Sequence, residues 1–92
     1  MDQRELILSL EKPFSEYSDE PAKVREIIVA GLSWPMPYWP ELAVRWIEDG
    51  APIDPDIREL LEKIENTLRF PQNLRHRARV ACRRLPPGDA NA

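Results

Sequence analysis

The chain has 92 residues, 42% hydrophobic and 32% charged, with one cysteine and a net charge of −3. That length supports one small domain, burying ~60–65% of the surface its unfolded form exposes, and excludes a two-domain enzyme with a large interdomain cleft. No apolar run approaches the ~20 residues that span a bilayer, the polar start Met1 to Glu5 lacks a signal-peptide pattern, and a lone cysteine forms no internal disulfide, so a cytoplasmic domain is expected.

Five helix-like segments are predicted in chain order. The first opens at Asp2, which with Glu5 has capping-box spacing ahead of Leu6, Ile7, Leu8 and Leu10, and Pro13 ends it. The second begins between Ser18 and Pro21 and carries Val24, Ile27, Ile28 and Leu32 on one side, with Gly31 expected as the left-handed residue that closes it. Residues 33–40 hold three prolines, which argue against regular structure there, although Pro40 suits the first turn of a third helix. That helix places Leu42, Ala43, Trp46 and Ile47 inward and stops at Gly50.

The fourth segment has the clearest period. Asp54 is the expected N-cap, Pro55 occupies the first helical position, and Ile57, Leu60, Leu61, Ile64 and Leu68 share one face. A fifth helix starts near Pro71 and ends before Pro86, with Leu74, Ala78, Ala81, Cys82 and Leu85 as its inward stripe. No stretch alternates like a half-buried strand. The expected fold is an all-α, compact antiparallel bundle of about five short helices, comprising residues 1–88, with 89–92 as a frayed tail.

Residues for catalysis are scarce. His76 and Cys82, each the sole residue of its kind, are six positions apart on the fifth helix, so their directions differ by roughly 120°. Carboxylate pairs such as Asp54/Asp56 and Glu59/Glu62 read as capping groups and a solvated helix face. Gly31, Gly50 and Gly88 are too dispersed for a phosphate loop. No catalytic residue, cofactor or metal ligand is assigned, and a non-enzyme is expected.

Charge is unevenly distributed. Residues 1–67 carry fifteen Asp and Glu against seven Lys and Arg, a net of −8, whereas residues 68–92 carry six Arg against Asp89, a net of +5. On the fifth helix Arg75, Arg77, Arg79, Arg83 and Arg84 lie on the flanks and back of the apolar stripe. Two local rules are broken together: Glu48 and Asp49 end a helix where anions are disfavoured, and Arg75 and Arg77 begin one where cations are. Internal compensation, including pairing with Glu59, Glu62 and Glu65, is one reading; a docking face is the other.

Trp34, Tyr38 and Trp39 crowd with Met36 among Pro35, Pro37 and Pro40. This corner either lids the core or offers a stiff aromatic contact, because Trp and Tyr dominate interface energetics. Trp46 is expected inside, with Trp34 or Tyr38 partly exposed. Taken together, the residues imply a protein–protein interaction domain that docks an acidic protein, or a second copy as a homodimer, through the arginines and the aromatic corner. Nucleic-acid binding by the same arginines is the alternative, and a small acidic inhibitor- or immunity-like protein is a third; no membrane partner is expected.

Overall fold

Apolar residues at helical spacing, punctuated by proline and glycine, fold here into helices joined by short links. The computed structural model describes residues 3–16 and 21–83. It contains α1 (Gln3–Leu8), α2 (Pro21–Leu32), α3 (Tyr38–Glu48), α4 (Pro55–Glu65) and α5 (Gln72–Cys82), with 3-10 turns at Ser9–Glu11 and Phe14–Glu16. No strand occurs among the described residues, so the chain is all-α. The Cα radius of gyration is 12.5 Å, close to the roughly 12 Å of a compact chain this long. The expected cap Asp2, the start at Ser18, and Arg84, Leu85 and the tail 89–92 lie outside the described residues.

α4 begins as its sequence requires. Asp54 is extended, its carboxylate accepts the Ile57 backbone N–H at 2.9 Å, and Pro55 follows at N1. Ile57, Leu61 and Ile64 are buried. Leu68 departs from the expected face and is 79% exposed. The reason is that the helix ends at Glu65: Asn66 caps it, its side chain donating to the Glu62 carbonyl. Beyond that point the chain no longer follows a 3.6-residue period, and Phe70, 7% exposed, enters the core instead.

α5 returns along α4, and the two make the most extensive helix contact. Arg75 near its start reaches Glu65 at the end of α4, while Cys82 at its end approaches Arg58 near the beginning, so the pair is antiparallel. Leu74, Ala78, Ala81 and Cys82 form its buried stripe. The two alanines allow close approach to the neighbouring helices.

α2 buries Val24, Ile27, Ile28 and Leu32 as expected. Gly31 does not close it. The helix runs through Gly31 to Leu32, and the only positive-φ glycine among the described residues is Gly50, at +117°. Gly31 is instead a point of close approach, where an added Cβ would lie 2.5 Å from Leu10 Cδ1 and 3.1 Å from Ala43 Cβ. The absence of a side chain serves packing rather than backbone reversal.

The irregular corner is also shorter than expected, because Tyr38, Trp39 and Pro40 form the first turn of α3 after Pro37. α3 buries Pro40, Ala43, Val44, Trp46 and Ile47. Trp46 is 1% exposed at the centre of the bundle. Its indole N–H donates to the Lys12 carbonyl at 2.9 Å, and its ring lies 5.4 Å from that of Phe14. One large side chain thereby joins α3 to the segment following α1.

Candidate interaction surface

A helix packed on one side must turn its remaining side chains to its flanks or outward, and α5 does both. On the α3 flank, Arg77 grips Glu48 with two hydrogen bonds, Nε to Oε2 at 3.0 Å and Nη2 to Oε1 at 2.9 Å, and Nη1 lies 3.7 Å from Glu41. The Glu48 hydrogen bond raises the Arg77 pKa, outweighing partial burial, with the charges of Glu48 and Glu41 adding to the rise. This planar fork matches a carboxylate in two places, which a lysine does not do.

On the α4 flank, Arg75 Nε donates to the Glu65 carbonyl at 3.1 Å. That carbonyl belongs to the last turn of α4, where backbone acceptors lack helical partners and a cation is favoured. The arginine that opens one helix against the dipole rule therefore satisfies the end of another. Glu48, unfavourable at the end of α3 in isolation, is similarly offset by Arg77.

Arg79 is held more loosely. Its Nε lies 3.7 Å from Glu65 Oε2, and its side chain is 53% exposed. Arg83 is exposed and forms no ion pair with another described residue. His76 is exposed as well, whereas Cys82 is buried, so histidine and thiol do not meet on one face. Among the described residues no group of three or more His, Cys, Asp or Glu could hold a metal ion.

The aromatic corner divides between core and surface. Trp34 and Trp39 are half-buried against the core, whereas Met36 and Tyr38 are 63% and 53% exposed. The Tyr38 and Trp39 rings meet edge to face at 4.8 Å. The Tyr38 hydroxyl donates to Glu11 Oε2 at 2.8 Å, and this bond raises its pKa, reinforced by desolvation and by the negative charge of Glu11. Tyr38 is thus oriented by the 3-10 turn while its ring remains accessible.

Tyr38 and Arg77 line one open depression of about 310 Å³, together with Glu41, Arg45, Glu48 and Asp49. The sequence expectation did not include Glu41, Arg45 and Glu48 as members of one surface. Their signal was available: with Tyr38 they occupy the face of α3 opposite Ala43, Trp46 and Ile47, at spacings of three and four residues. What joins this face to α5 is Arg77, a contact between residues far apart in the chain.

The outcome is a surface of two parts: a depression beneath Tyr38 in which three acids meet two arginines, and an outward line on α5 carrying Arg79 and Arg83. Among the described residues no helix is long and apolar enough to cross a membrane. No family model, curated protein or solved structure matches the chain.

Proposed function

We propose that the chain is a non-catalytic protein–protein interaction domain of the cytoplasm, docking an acidic protein surface along the outer line of α5, with Tyr38 and Met36 as apolar contacts beside it. The observation that carries this reading is the convergence of the arginine helix and the aromatic corner, since Arg77 and Tyr38 border the same depression. Arg79 and Arg83 retain exposure while Arg75 and Arg77 are committed within the chain. The lone cysteine is buried, consistent with a reducing compartment in which no disulfide is needed.

Nucleic acid is the weaker reading because Glu41, Glu48 and Glu65 bring negative charge to both flanks of α5. A duplex carries its charge along its whole length and, laid on the helix, extends over these carboxylates, whereas an acidic patch on a protein is local and matches the outer arginines alone. The decisive experiment compares affinity capture at low salt by the native chain and by Arg79→Glu/Arg83→Glu. Loss of the retained protein with unchanged circular dichroism supports the reading. Undiminished capture by the variant, or capture of nucleic acid instead of protein, overturns it.

A further inference from the structure

Resting on the reading of α5 as a docking helix, the partner can be specified further from the charges on the adjacent helix. α4 carries Asp56, Glu59, Glu62 and Glu65 against Arg58 and Lys63, a net of −2, whereas α5 carries four described arginines, counting its C-cap Arg83, and no acid. The two helices are antiparallel neighbours, yet their charges neutralise one another only in part. Glu65 is engaged by Arg79 at 3.7 Å, while Glu59, Glu62 and Arg83 are exposed and form no ion pair among the described residues. The helix pair therefore presents a net-acidic row, Glu59 and Glu62 with Lys63 at the edge nearest α2, beside a basic row.

Such a surface is complementary to itself under one symmetry operation. A two-fold axis running parallel to the helices, in the plane of contact, sets α4 of one copy over α5 of the other and repeats the same match in reverse. The operation also brings both α4–α5 links to the same end of the pair. Each link carries Leu68, 79% exposed, among the largest exposures of any apolar side chain in the described chain, so an exposed apolar side chain of each copy lies at that shared end. A two-fold axis perpendicular to the helices would instead set acidic row against acidic row.

We propose that the outer face of α4 and α5 is an isologous interface between two copies of this chain, with Glu59 and Glu62 of each copy facing Arg79 and Arg83 of the other. The association is electrostatic at its rim, so it weakens as salt rises.

Sedimentation equilibrium tests this with the full chain and two charge-reversed variants. The native chain dimerises at about 0.01 M salt and dissociates at about 1 M, where the screening length falls from ~30 Å to ~3 Å. Arg79→Glu/Arg83→Glu and Glu59→Arg/Glu62→Arg are each monomeric alone, because like rows then face each other. Mixed in equal amounts they form a heterodimer, since each supplies the charge the other lacks. Circular dichroism reports whether each variant folds; should the arginine variant not fold, the chain bearing all four reversals, in which the rows are exchanged, dimerises again. A native chain that stays monomeric at low salt, or reversed variants that remain monomeric when mixed, overturns the inference. A monomer that still captures a different acidic protein through α5 overturns only the second copy as partner, whereas a monomer that captures nothing overturns both readings.

Discussion

Gly31 and Gly50 show how one residue type serves two unrelated needs. At Gly50 the backbone has φ +117° and open space around the missing Cβ. Alanine there is strained by conformation alone, at a cost of about 1–3 kcal/mol. At Gly31 the backbone is helical, so alanine would ordinarily stabilise by ~0.5–1 kcal/mol. Here its methyl would press on buried Leu10 and on Ala43 of the neighbouring helix. We expect Gly31→Ala to lose about 1–2 kcal/mol net, because overpacking outweighs the propensity gain. Urea denaturation decides the sign: a higher midpoint for Gly31→Ala would mean that Leu10 relaxes without penalty. Gly31 was legible as important but not for the right reason, since sequence shows a glycine near a helix end and conceals what crosses it.

At the scale of elements, two arginine clasps hold helices that apolar packing brings together. Arg25 on α2 reaches Asp54 at the head of α4 and donates to Asp56 at 2.6 Å. Burial pushes the Asp54 carboxyl up, but the Ile57 N–H, the Arg25 guanidinium and the Asp56 N–H together outweigh it and hold the group below its ordinary 3.8. A depressed folded value means that the ionised group's contribution is present above 3.8 and is lost as pH falls through the lower folded value. Asp54→Asn retains a capping oxygen and removes the charge. The native chain should therefore be more stable than this variant near neutrality, with the difference vanishing in acid. A difference independent of pH in paired thermal melts would refute the assignment.

The second clasp joins α5 to α3. The Arg77 side chain is 28% exposed and bidentate to Glu48, whereas Arg79 is 53% exposed and 3.7 Å from its partner. Arg77→Ala should cost about 1–2 kcal/mol and Arg79→Ala no more than ~0.5 kcal/mol. Equal losses in denaturant titration would show that geometry does not distinguish them. The paired violation of dipole rules was visible in the sequence, and it does mark internal compensation for Arg75 and Arg77. Which arginines were committed, and which faced outward, depended on the rotation of α5 between α3 and α4.

For the whole molecule, the split between an acidic segment 1–67 at −8 and a basic segment 68–92 at +5 coincides with a structural dependence. α5 inserts Leu74, Ala78 and Ala81 into the core, so the acidic segment alone leaves the facing sides of α3 and α4 uncovered. A chain ending at residue 67 should lose most of its helical circular dichroism, and adding a peptide of residues 68–92 should restore it, less effectively at high salt. Full helicity of the truncated chain would show that α5 is an appendage and not part of the core.

The sequence by itself determined the helical class, the number of helices, the cap at Asp54 and nearly all of the inward stripes. These follow from bonding and burial within about four residues along the chain, where spacing specifies direction. Only the tertiary structure decided that Gly31 is a crossing point, that Leu68 faces solvent, and that Tyr38 shares a depression with Arg77. Each of these depends on how separate helices are rotated and where one ends against another. Those quantities are set by packing between residues distant in the chain, about which local periodicity carries no information.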